Sequence, residues 1–148
     1  MASVERLINE HARISARGDA LLRSAGTESA MMLRTMIVGL DTELAAHLAT
    51  EDLEVYPQLL SHGDLAQREA TAIALADFDK LAGDWRAYVD EWTADEIDGD
   101  RELFVEASKQ VLSALSARIR IENELLYPLA LRCGTITLRE AGARISAG

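Results

Sequence analysis

Cysteine occurs once, at Cys133, so no intrachain disulfide can form and the chain fits a reducing compartment. Proline occurs only at positions 57 and 128, and aromatic residues make up 5% of the chain. Alanine and leucine dominate, β-branched residues are mostly scattered singly, and such a chain favours helix almost throughout. Positive charge is scarce: 15 Lys and Arg face 25 Asp and Glu, for a formal net charge of -10. An acidic surface repels phosphate backbones, and Arg118 with Arg120 is too sparse a patch to track one, so no nucleic-acid partner is expected. No run of 18 apolar residues exists to cross a membrane. The opening MASVERLINEHARIS carries acids and lacks a long apolar core, so it does not read as a secretion signal. A cytoplasmic location is the expectation.

What the chain does have is helical phase. Its 148 residues, 49% hydrophobic and 27% charged, fit one domain over 1–148 with a proper core. Four helical segments are predicted. The first runs from Val4 to about Arg23 with Ser3 as its cap, and the second from after Thr27 to Leu60, ending at SHG. Asp64 and Gln67 form a capping box for the third, which reaches about Trp92. The fourth runs from about Arg101 to Leu131. Pro57 and Pro128 fall late in their helices and should kink or end the regular hydrogen bonding. Between the third and fourth lies DEWTADEIDGD, read as a solvated acidic turn. After Leu131 a single turn of helix is expected around Leu138 to Ala143, then a loose end. Single apolar faces and short connections predict an all-α, up-down-up-down four-helix bundle with a short C-terminal tail. Helices two and four then run in the same direction, diagonally across it.

Some polar residues fall inside the apolar stripes. Ile37, Leu40, Leu44, His47 and Glu51 share one phase on the second helix. Leu112, Leu115, Ile119, Glu122, Leu126 and Leu129 do so on the fourth. His11 lies in phase with Leu7 and Ile14 on the first. Buried carboxylates are costly unless paired, protonated or bound to metal. His47 and Glu51 lie one turn apart and can point at one centre. His11, His47, Glu51 and Glu122 form a ligand set suited to iron, zinc or manganese. The same residues also admit a metal-free network, in which the Arg118 guanidinium bridges the two carboxylates. His62, in SHG, reads as a surface or cap residue, and Cys133 as structural or incidental.

The stretches LINEHARI, HLATEDLEVYP (47–57) and RIRIENELLYP (118–128) resemble the hemerythrin-like, histidine–histidine–glutamate cation-binding family over roughly residues 4 to 131. The resemblance implies a four-helix bundle around a non-haem di-iron centre, with oxygen binding, iron handling, or sensing of dioxygen or nitric oxide as its work. It places His11 and His47 on one iron and makes Glu51 and Glu122 the bridging carboxylates. The other iron would need histidines from helices three and four. Helix three offers Ala74, Asp77, Phe78 and Asp79, and helix four has Arg118 in the histidine slot. The expectation is one mononuclear site, with Arg118 as the second-site substitute.

No nucleophile, glycine-rich phosphate loop or cofactor fingerprint accompanies these residues, so no hydrolase, transferase or dehydrogenase reading has support. The alternative function is a metal-free interaction or regulatory bundle. On that reading, any exposed member of Phe78, Trp85, Tyr88 and Trp92 would mark a homodimer or protein-partner surface.

Overall fold

A computed structural model describes residues 2–140. Helix α1 spans Val4–Ser24, with the Ser3 hydroxyl accepting from the Arg6 amide at 3.1 Å. The second long helix is bent: α2 spans Ala30–Glu54, capped by Ser29, and α3 spans Tyr56–His62, with the break at Val55. Pro57 lacks the amide that would bond to Leu53, which is why the bend falls there. Helix α4 spans Leu65–Glu91 and opens with the expected reciprocal cap, Gln67 N–H to Asp64 Oδ1 and Asp64 N–H to Gln67 Oε1, both 2.8 Å.

The acidic stretch is more ordered than a solvated turn. Ala94–Gly99 forms a short helix, α5, capped by Thr93 and anchored by the fully buried Ile97. Asp95 and Glu96 occupy its first turn, where carboxylates favour the positive end of the helix. Asp100 then caps α6, Arg101–Ile121. The fourth long helix continues through a wide π turn, Glu122–Leu126, into α7, Tyr127–Cys133, and stops at Gly134 in the left-handed region. The tail turns back, and Val4 N–H donates to Thr137 O while Thr137 N–H donates to Ala2 O. No helix begins in Leu138–Glu140, and positions 141–143 of the expected turn lie outside the described residues.

These elements form the all-α bundle of four long helices with its short tail. Helix α1 packs on α2 and α6, and α4 on α6 and α2, which leaves α2 and α6 facing diagonally. The core has two apolar parts. One holds Ile14, Leu44, Trp85, Phe104 and Leu115, and the other Leu7, Val55, Phe78 and Leu126. Between them, on α1, α2, α6 and the turn that follows α6, lie His11, His47, Glu51, Arg118 and Glu122. Phe78, Trp85, Tyr88 and Trp92 are all buried, so none marks a partner surface. No helix among the described residues is long and apolar enough to cross a membrane.

Candidate metal centre

The periodic stripes bring His11, His47, Glu51 and Glu122 together as buried neighbours, each 3% exposed or less. One ligand atom from each lies within 4.8 Å of all the others, an arrangement that could hold a metal ion. The two imidazoles are oriented from outside. His47 Nδ1 donates to Glu10 Oε1 at 2.7 Å, and His11 Nδ1 to Asn123 Oδ1 at 2.7 Å. Both Nε2 atoms therefore face inward, His11 3.0 Å from Glu122 Oε1 and His47 3.1 Å from Glu51 Oε1. A ligating histidine is commonly held by such an outer acceptor, which fixes its tautomer.

Two further side chains enter the centre, from the positions just before the prolines. Tyr56 Oη donates to Glu51 Oε2 at 3.0 Å and also contacts Glu122 Oε2. Tyr127 Oη lies 3.0 Å from Glu51 Oε2, 3.0 Å from His11 Nε2 and 3.5 Å from His47 Nε2. Glu10, Asn123, Tyr56 and Tyr127 are absent from the ligand reading of the sequence, though the repeated E-x4-Y-P spacing was the signal for the tyrosines.

Arg118 closes the opposite side. Its Nη2 is 3.5 Å from Glu51 Oε1 and 3.6 Å from Glu122 Oε2, and its Cζ sits 4.2 Å from the centre of the Phe78 ring. Helix α4 thus presents Phe78 here, while Asp77 is exposed and contributes nothing. A guanidinium stacked on a phenyl ring borders the two carboxylates. The four residues brought together could hold one cation. Outside the centre, His62 is exposed at the end of α3, and Cys133 is half-buried with Sγ 3.2 Å from Gln67 Oε1.

Burial and the neighbouring Glu122 push the Glu51 carboxyl up to about 7. Burial would raise Glu122 as well, but hydrogen bonds with Glu51 and His11 and the Arg118 charge hold it down at about 2. One carboxyl of the pair thus retains a proton that the other has lost. Burial disfavours charge on His47, yet Glu51 and Glu10 outweigh it and raise its pKa. Burial and the two carboxylates push both tyrosines far above the usual phenol range.

Residues 2–130 match the family described as the hemerythrin HHE cation binding domain, and the chain belongs to that family. Its particular form is a bundle with one His/His/Glu/Glu cluster, a degenerate version of a two-ion site. Comparison with curated proteins and with solved structures gives no match.

Proposed function

We propose that the protein holds one metal ion on His11, His47, Glu51 and Glu122 and serves in sensing or handling iron, dioxygen or nitric oxide. The observation that carries this reading is the pairing of lone pairs. Both Nδ1–H groups are committed outward, so each Nε2 lone pair faces a carboxylate oxygen at hydrogen-bond distance. Two acceptors this close need a proton or a metal ion between them, and a single metal ion serves both pairs at once. Two neutral imidazoles and two carboxylates would also balance the charge of a divalent ion. Iron suits such a nitrogen and oxygen set and the family's chemistry, while zinc and manganese suit the same donors. Four protein ligands leave room for a small exogenous ligand at an ion that accepts five or six, and that is where a gas would act. The unpaired thiol supports a reducing, cytoplasmic setting.

Metal analysis of protein purified without a histidine tag, after growth with iron and separately with zinc, tests this directly. One ion per chain is expected; traces in both, with no tight rebinding, would sink it. A second measurement addresses the outer partners. Glu10→Ala should weaken metal binding by about 10–100-fold, read by competition with a chelator, because His47 loses the acceptor that fixes its tautomer. Unchanged affinity would show that the His47 nitrogen is not a ligand.

A metal-free reading is favoured by one observation, the Arg118 guanidinium within 3.6 Å of both carboxylates. In that state a proton shared between His47 Nε2 and Glu51 Oε1 takes the place of the ion, and the bundle acts as an interaction or regulatory module.

A further inference from the structure

We propose that Tyr127 is a fifth protein ligand of the ion, binding ferric iron through its phenolate oxygen. The inference rests on the mononuclear reading above and deepens it. Bonds of about 2.0–2.2 Å from one ion to nitrogen and oxygen donors set adjacent donors about 3.0–3.5 Å apart. Tyr127 Oη meets that condition with three donors at once: His11 Nε2 at 3.0 Å, Glu51 Oε2 at 3.0 Å and His47 Nε2 at 3.5 Å. It stands among the ligands as a further corner of one polyhedron.

A purely hydrogen-bonding role accounts for less. The phenol has one proton, and three groups with lone pairs surround its oxygen. The Nδ1 protons of both imidazoles point away, toward Glu10 and Asn123. The ring itself is 1% exposed and packs in the apolar cluster, so a phenylalanine would serve the core equally well. Only the oxygen needs the centre.

The local backbone is built for this placement. Tyr127 follows Glu122 by five residues, which on a regular α-helix would put it about 140° away from Glu122. The π turn, closed by Tyr127 N–H to Glu122 O, brings both side chains to one side. Such wide turns concentrate at functional sites.

Tyr56 supplies the internal control. It is the matching residue of the other frame and is equally buried in the same layer. Its hydroxyl, however, meets the two carboxylates and Arg118 and neither imidazole. It orients Glu51 and Glu122 and is not a ligand. A hard anionic oxygen on the ion favours the trivalent state, so this site is suited to holding ferric iron more than to reversible binding of a gas by ferrous iron. On loading, an iron–oxygen bond forms, the Tyr127 O–H bond breaks and its proton leaves to solvent. Iron supplied as ferric ion undergoes no change in oxidation state.

The test uses the full chain without a tag, stripped of metal and loaded with ferric citrate. Bound iron, visible absorbance and protons released are measured on wild type, Tyr127→Phe and Tyr56→Phe. Wild type should bind one ferric ion per chain and show the visible charge-transfer band of iron-bound tyrosinate. Tyr56→Phe should keep the band. Tyr127→Phe should lose it and release one proton fewer per ion bound. Should Tyr127→Phe fail to fold, resonance Raman on wild type decides: the ring modes enhanced in the band must shift when tyrosine is ring-deuterated. A ferric-loaded wild type with no such band, or a band that survives in Tyr127→Phe, overturns the inference while leaving the mononuclear site standing. A wild type that binds neither ferric iron nor zinc overturns both.

Discussion

Arg118→Ala is expected to cost about 3–5 kcal/mol near neutral pH, a large share of the stability of a domain this size. Among the described residues the guanidinium is the one fixed positive charge beside Glu51 and Glu122, and both carboxylates are at most 1% exposed. The loss has a defined pH dependence. Glu51, raised from 4.5 to about 7, contributes stability that is full below 4.5 and is lost as pH rises toward 7. Glu122, lowered to about 2, contributes stability present above 4.5 and lost as pH falls toward 2. Removing Arg118 moves both carboxyls upward, so the gap between variant and wild type opens as pH rises above about 2, where wild-type Glu122 ionises, and is widest at neutral pH and beyond. In acid both groups are protonated, and only the lost stacking on Phe78 remains. Thermal melts across this range, with and without iron or zinc, measure it. Added metal should narrow the gap, because the ion supplies the missing charge. A deficit that is the same at every pH would mean that packing alone was lost.

His47→Ala should abolish stoichiometric metal binding while leaving helicity unchanged. It removes one of only two nitrogen donors, so the loss in affinity should exceed the about 10–100-fold cost of removing an outer partner. The fold should tolerate the change because α2 is 25 residues long and stays anchored through Ile37, Leu40 and Leu44. Elemental analysis and far-ultraviolet circular dichroism on one preparation give the answer. A folded variant with a full complement of metal would remove His47 from the ligand set.

The helices, their caps and the four inward polar residues were legible because each follows the regular period of an α-helix. Leu7, His11 and Ile14 keep that period, as do Leu44, His47 and Glu51, and all are buried. The same rule hid the tyrosines. Five residues beyond Glu51 or Glu122 is an outward position on a straight helix, and only the bend at Val55 and the π turn at 122–126 bring Tyr56 and Tyr127 back. Glu10 and Asn123 were missed for a related reason. Each adjoins a core residue and lies off the apolar stripe, where a polar side chain looks solvated. Helix α5 was missed because its six residues carry one apolar anchor, Ile97, too little for any period to show.

The π turn makes Glu122–Leu126 one residue longer than a regular helix needs, and that surplus is taken up within the turn like slack in a cable. Upstream, α6 is keyed to α1 and α4; downstream, α7 is keyed to α3, and the tail after it bonds to Ala2 and Val4. Loss of a single residue at 123–126 would leave helix content, charge balance and apolar composition almost untouched. It would also close the wide turn into a regular α-helix, with the tyrosine four residues after Glu122 and about 40° from it, so α7 and the phenol would keep their side of the helix. The centre therefore depends on which side chains face it, and the extra residue at 122–126 is slack that a shorter stretch of regular helix could replace.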